Sequence, residues 1–301
     1  MTARRAIILL GLLGLLGHVG AAHGAQRSVA VGANPESVAR GFGGKLFVTL
    51  MGPSRVAGDG DGKIVVLEGD DTPRDFALGM DDPKGLVFIG DQLITADFNR
   101  VWKVNAAGER TLLAGPAAFP HPPLYLNDVA VAADGKSVLV SDMGARDQAV
   151  GPAGLWPLDS PEAKAVPAVG RVYRITLDGQ VSELIPADPL MPCPNGLDVL
   201  PDGRLRIAEF FTGAILEWHN GKLTALGGGH RSADGIGHDR MGRGYVSEVR
   251  TGVVSRYEAN WGAKQPLAAG LTSAADLLVD TAAGLLIIPD TRAGTLVFVP
   301  L

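Results

Sequence analysis

Short apolar stretches recur along this chain at a nearly constant interval, each introduced by a polar residue and closed by turn residues. The clearest copies are LNDVAVAADG (126–135), PNGLDVLPDG (194–203) and ADGIGHDRMG (233–242). Weaker ones stand at NPESVARGFGG (34–44), DPKGLVFIGD (82–91) and SAADLLVDTAAG (273–284). The polar residues are Glu36, Lys84, Asn127, Asn195, Asp234 and Asp276, separated by 48, 43, 68, 39 and 42 positions. Apart from the third step, these lie near the period of a four-stranded propeller blade. A second β-branched and apolar run follows each copy: KLFVTLMG (45–52), QLITADFN (92–99), SVLVSDMG (137–144), RLRIAEFF (204–211), RGYVSEVR (243–250) and LLIIPDTR (285–292). A third run then follows in each unit, from GKIVVLEG (62–69) to GTLVFVPL (294–301). Their composition suits strands, and no sustained helical periodicity competes with that reading.

The last unit stops at its third strand, while an unassigned strand-like piece, RSVAVG (27–32), precedes the first unit. The economical arrangement is a six-bladed β-propeller, all β, in which this N-terminal strand closes the last blade and hides two sheet edges. Strands alternate in direction within a blade. The start of every first strand, the loop after the second strand and the crossover to the next blade therefore meet at one mouth. The extra length of the third unit, residues 144–170, falls between its second and third strands. It is either a lid over that mouth or a disordered surface loop.

The N-terminus has Arg4 and Arg5, an apolar run over 6–16, and small residues near Gly24. That is the layout of a secretory signal over residues 1–24, leaving one propeller domain over 25–301 and a periplasmic or secreted protein. The apolar run is shorter than the roughly 20 residues of a spanning helix, so no stable membrane insertion is expected after cleavage. Loss of the two arginines takes the formal charge from −5 to −7. With no basic runs, nucleic acid is not an expected partner. Cys193 is the only cysteine, which excludes an intramolecular disulfide. It has no recognisable partners for a cysteine hydrolase and reads as a packed thiol. A GxSxG nucleophile elbow is also missing.

The six polar residues form a ring at the mouth. Glu36, Asn127, Asn195 and Asp234 offer two carboxylates and two carboxamides, a donor set suited to a hard cation such as Ca²⁺, with Zn²⁺, Mn²⁺ or Mg²⁺ as alternatives. Taken singly, each can instead be a turn residue that bonds nearby backbone. Lys84 and Asp276 complete the ring, as oxyanion donor and general base or as an ion pair with each other; Lys84 can also pair with Glu36. His121 and His230 lie in crossover loops just before Asn127 and Asp234 and are candidate proton carriers. Asp97, Asp142, Glu209, Glu248 and Asp290, near the ends of second strands, read mainly as turn or supporting groups.

At these motifs the chain resembles the superfamily of gluconolactonases, regucalcin, paraoxonases and squid-type diisopropylfluorophosphatase, over its whole length after the signal. The resemblance implies a central Ca²⁺ or other divalent ion held by a first-blade Glu, third- and fourth-blade Asn and a fifth-blade Asp, which here match Glu36, Asn127, Asn195 and Asp234. In the regucalcin branch the third-blade Asn lies nearer substrate than metal. Paraoxonase-like members carry His where this chain has Lys84, and an ammonium cannot act as a base until it loses its proton.

The function expected from these residues is an exported, divalent-metal-dependent hydrolase of lactones or related esters, with a small-molecule substrate. The alternative is a periplasmic, non-enzymatic propeller that binds a sugar-like or protein ligand and uses its metal structurally.

Overall fold

The computed structural model describes residues 26–301 except Arg55 and Asp70. The signal expected over 1–24 lies outside these residues. Among the described residues, six four-stranded antiparallel sheets follow one another along the chain. The first blade is built from Pro35–Arg40, Leu46–Leu50, Gly62–Leu67 and Pro73–Met80, each strand paired with the next. The other blades repeat this order, and the protein is a six-bladed β-propeller.

Side-chain alternation explains how the blades stack. In the first blade Phe47, Ile64 and Val66 pack against Leu86, Leu93 and Val104 of the second. Val48, Leu50, Val65 and Leu67 point the other way, against Ile287, Leu296 and Phe298 of the sixth. Neighbouring residues of a strand thus serve two different interfaces. That is why the strands read as nearly continuous apolar runs rather than as an apolar and polar alternation. Every adjacent pair of blades is joined by such a cluster.

Closure is as the spare segment predicts. Arg27–Ala30 pairs antiparallel with Thr295–Pro300, Arg27 opposite Phe298 and Ala30 opposite Thr295, and becomes the outer strand of the sixth blade. Arg27 stacks its guanidinium 4.0 Å from the Phe298 ring centroid and forms an ion pair with Asp71 of the first blade. Val31 is buried in the cluster between blades six and one.

The insertion of the third unit is ordered. It contains a 3-10 turn at Arg146–Ala149, a hairpin of Val150–Gly151 with Gly154–Leu155, and a helical turn at Pro161–Lys164. Ser160 caps that turn, its Oγ accepting from Ala163 N at 3.1 Å. Val150, Leu155 and Trp156 pack against Phe210, Phe211 and Val249, and Arg231 donates to the Trp156 carbonyl at 2.8 Å. The insertion therefore leans across blades three to five at the mouth. No described helix is long and apolar enough to cross a membrane.

Deleting residues 25–32 removes four paired residues and the buried Val31. The expected result is a melting temperature lower by about 10 °C or more, from a loss of several kcal/mol. Calorimetry of the truncated chain checks this, and melting unchanged from the intact protein would show that the strand contributes nothing to closure.

Candidate functional site

The geometry of the mouth begins with a backbone irregularity. In five blades the pairing of first and second strands shifts just after the first residue, between Pro35 and Val38, Pro83 and Leu86, Leu126 and Val129, Pro194 and Leu197, and Ala233 and Ile236. Each bulge re-aims the two residues inside it. The first of each pair, Glu36, Lys84, Asn127, Asn195 and Asp234, faces one shared cavity of about 340 Å³. Amide groups freed by the bulges are recovered by hydroxyls of the second strands. Thr49 Oγ1 accepts from Ser37 N at 2.9 Å, Ser141 Oγ from Asp128 N at 2.9 Å and Ser247 Oγ from Gly235 N at 2.8 Å.

Register corrects one expected ring member. Asp290 pairs with Ala274, as Glu248 does with Ala233 and Asp142 with Leu126. The sixth ring position is therefore Ala275, which lines the cavity. Asp276 lies one residue deeper, level with Ser37, Gly85, Asp128, Gly196 and Gly235. At this second level the strands nearly touch. A Cβ on Gly196 would come within 2.1 Å of the Asp234 carbonyl oxygen, and one on Gly85 within 2.5 Å of Val129 N. Asp128 and Asp276 use this closeness to tie blades together. Asp128 Oδ2 accepts from Leu197 N at 2.6 Å, and Asp276 Oδ2 accepts from Ser37 Oγ at 2.5 Å.

Lys84 does not pair with Asp276. Its ammonium, buried at 2% exposure, forms an ion pair with the equally buried Asp82. It also approaches Met51 Sδ at 3.6 Å and stands 5.2 Å from the Tyr125 ring centroid. The two histidines are elsewhere. His121 is half exposed, 3.5 Å from Glu183. His230 is fully buried, with Nδ1 2.9 Å from Glu248 Oε1 and Nε2 bonded to the Tyr257 hydroxyl. Both are corrections: each fixes a loop to a blade, and neither lines the cavity. The acids at second-strand ends hold the preceding crossovers, as in Asp97 accepting from Asp82 N at 2.7 Å, Asp142 from Tyr125 N at 2.8 Å and Glu209 from Cys193 N at 2.7 Å. Cys193 is buried among Met143, Phe210 and Phe211, where burial pushes its thiol far up.

Electrostatically the axis is crowded with anions. Burial and the nearby Asp234 push the Glu36 carboxyl well above its ordinary value, and burial and Asp276 do the same for Asp128. Asp234 is pushed up to about 7 by burial and by Asp276, and Asp276 to about 6 by burial. Glu36 Oε2 and Asn195 Oδ1 are buried with no hydrogen-bond partner among the described residues. Asn195 Nδ2 donates to Asp234 Oδ1 at 3.2 Å, and Asn127 Nδ2 contacts Met143 Sδ at 3.0 Å. No described group of three or more His, Cys, Asp or Glu side chains is placed to hold a metal. The donors here are two carboxylates and two carboxamides. Buried oxygens without donors, next to carboxylates that repel one another, fit a hard divalent cation.

The cavity wall was not anticipated. Met51, Met143, Phe210, Val249 and Thr291 line it. Each directly follows the last residue of a second strand, at Leu50, Asp142, Glu209, Glu248 and Asp290. Tyr125, Arg146, Arg250 and Arg292 complete the rim. The signal was present in the segments ending LMG, DMG, EFF, EVR and DTR, where one position recurs in every unit.

No protein-family model matches the chain, and no curated protein sequence matches it. Solved structures do. The gluconolactonase of Xanthomonas campestris superposes with a TM-score of 0.67 at 21% identity, covering 93% of this chain and 92% of that one. The calcium-binding protein regucalcin of Agrobacterium tumefaciens gives 0.65 at 15% identity, over 91% and 90%. The virginiamycin B lyase of Staphylococcus aureus gives 0.60 at 11% identity, over 92% and 99%. The chain has the fold of the gluconolactonase and regucalcin-like propellers.

A carboxyl whose proton is held more tightly in the folded than in the unfolded state stabilises the fold below the unfolded value. That contribution is lost as pH rises through the folded value. For Asp234 and Asp276 the window runs from about pH 4 to the folded values of about 7 and about 6. Metal-free protein should therefore lose stability as pH is raised from 5 to 8. Asp234→Asn should flatten part of that loss and raise the melting temperature at pH 8 by about 2–4 °C for each kcal/mol relieved. Calcium should restore the unmutated protein at pH 8 and have little effect on the variant. Thermal melts across pH, with and without calcium, decide this; a variant less stable than the parent in chelator at pH 8 would contradict it.

Proposed function

We propose that this protein is an exported hydrolase of lactones or related esters that works with a divalent cation. The observation that carries the reading is the convergence of Glu36 Oε2 and Asn195 Oδ1, buried without partners among the described residues, with Asp234 in a cavity open to the mouth. When bound there, a divalent cation supplies Lewis acidity toward a carbonyl oxygen. Glu36 and Asp234 balance its charge, and Asn195 and Asn127 add oxygens without adding repulsion. Calcium is the ion favoured by this donor set and by the calcium binding of the similar regucalcin; Zn²⁺, Mn²⁺ and Mg²⁺ are the others to test.

Lys84 faces the same cavity and donates toward the oxygen on which charge develops as water attacks. Asp82 holds that ammonium in place. Met51, Phe210 and Tyr125 form the apolar walls that orient a small ring. No described histidine lines the cavity. This separates the present site from the similar virginiamycin B lyase, in which a variant with one histidine replaced by alanine is catalytically inactive. Export rests on the N-terminal pattern of Arg4, Arg5, the apolar run and the small residues around Gly24.

Purified protein should open small aldonolactones, lose that activity in chelator and regain it on adding calcium. Failure of the calcium-loaded protein to open any lactone would leave the non-enzymatic binding propeller in its place.

Lys84 can be tested apart from its structural role. Lys84→Met removes the ammonium that pairs with the buried Asp82 and should cost stability. The double change Lys84→Met with Asp82→Asn should recover most of that stability while lactone turnover stays lower by roughly 10²-fold. Turnover that returns together with stability would reduce Lys84 to a structural ion pair.

A further inference from the structure

The mouth is chemically lopsided, and the lopsidedness is local. Arg250 and Arg292 both stand two residues beyond the last residue of a second strand, Glu248 and Asp290, in the adjacent blades five and six. The same position is Gly52, Asn99, Gly144 and Phe211 in the other four. Both arginines line the cavity that holds the ring, and Arg146 of the insertion lines it as well.

Neither Arg250 nor Arg292 has a carboxylate partner among the described residues, although Arg27, Arg40, Arg174, Arg204 and Arg243 all do. Among the described residues the Arg292 guanidinium donates to the Thr272 carbonyl at 3.4 Å. A Cβ added to Gly154, in the hairpin of the insertion, would lie 3.4 Å from Arg250 Nη1, so the hairpin helps to place that guanidinium. Burial and the positive charges of Arg146 and Arg292 push Arg250 below its ordinary value, as expected where three guanidiniums share one opening.

A second observation points to the same sector. Thr291, between Asp290 and Arg292, lines the cavity, is 7% exposed, and its Oγ1 is buried with no hydrogen-bond partner among the described residues. A buried hydroxyl with an unused donor costs stability unless something accepts from it. On the hydrolase reading the residues that ring the axis would not balance the rim, because Glu36 and Asp234 would be matched by the proposed cation, while Asp82 pairs with Lys84.

We infer that Arg250, Arg292 and Thr291 form a subsite for an anionic substituent, a carboxylate or a phosphate, carried by the substrate at the blade five and six side of the mouth. Guanidiniums bind both groups through paired N–H donors, and the threonine hydroxyl supplies a third. The substrate class is thereby narrowed to acidic lactones or esters; this deepens the hydrolase reading and rests on it.

The test uses the full protein loaded with calcium and three lactones of similar ring size, one neutral, one with a side-chain carboxylate and one with a phosphate ester. The expected result is a kcat/KM at least 10-fold higher for one of the acidic lactones than for the neutral one. That ratio should fall toward unity in Arg250→Gln/Arg292→Gln and decline as salt is raised. The two acidic probes show which anion is preferred. Calorimetry with inorganic phosphate and with a short dicarboxylate gives a readout that needs no turnover, and one of them should bind the parent and bind the double variant at least 10-fold more weakly. If no lactone is opened but anion binding depends on the two arginines, the hydrolase reading fails and the subsite stands. Equal turnover of neutral and acidic lactones, with no anion bound or binding indifferent to the double change, would overturn the subsite and leave the hydrolase reading intact. Melting of the double variant at the parent temperature guards against a folding defect, and Thr291→Val offers a second, smaller change predicted to weaken the same anion.

Discussion

Everything at the centre of this propeller follows from how closely six first strands approach one axis. At the second level down there is room for little beyond glycine between Gly196 and the Asp234 carbonyl, or between Gly85 and blade three. Strands so close cannot all continue in ideal register, and the bulge at the start of five of them relieves the crowding while turning a side chain toward the mouth. Five of the six ring side chains are polar, Ala275 being the sixth, and they face an opening rather than a neighbouring blade. They are buried because the opening is narrow. Together with Asp128 and Asp276 at the second level, Glu36 and Asp234 make four carboxylates that are desolvated and repel one another, with their proton affinities raised together.

That repulsion costs stability in the folded chain, and the core must offset it. The interblade clusters do so through alternation, since each central strand contributes to two interfaces at once. Asp128 and Asp276 recover part of their own cost by accepting backbone or serine hydrogen bonds from the next blade. Glu36 and Asp234 recover less, and it is at these two that oxygens face the cavity without donors or with only a carboxamide. The distinction separates carboxylates that hold the blades together from carboxylates kept for a ligand, a difference of one residue along the strand.

That one residue also explains what the sequence made legible and what it hid. Repeat, blade number and closure were readable because apolar periodicity and turn residues act locally, and RSVAVG had no other place to pair. Five ring positions followed because each copy places its polar residue at the same point in its motif. Asp276 was misplaced because residue type was followed where register decides: counting from the pairing of Asp290 with Ala274 puts Ala275 on the ring. Lys84 pairs with Asp82, two residues back on the same side of the chain, and not with the acids of the facing motifs. His121 and His230 sit in crossovers whose paths depend on partners such as Glu183, Glu248 and Tyr257, which neighbour them in space and not in the motif.

The wall of the mouth shows how an equivalent position is put to unequal use. Residues just after the second strands are Met51, Met143 and Phe210 on one side and Val249 and Thr291 on the other, and the residues beyond them become arginine only in blades five and six. The insertion adds to this polarity, since Tyr125 and Phe210 flank Arg146 over the third and fourth blades. A molecule entering the cavity thus meets an apolar, aromatic face and a cationic edge with the ring of oxygens beneath. On the proposed reading this would fix orientation before any chemistry, because only one way round would set an apolar ring face against Met143 and Phe210 and an acidic group beside Arg250 and Arg292. A symmetrical fold therefore yields a directional site through substitutions at two positions per blade, and the ring beneath needs only to act on whichever bond that orientation presents.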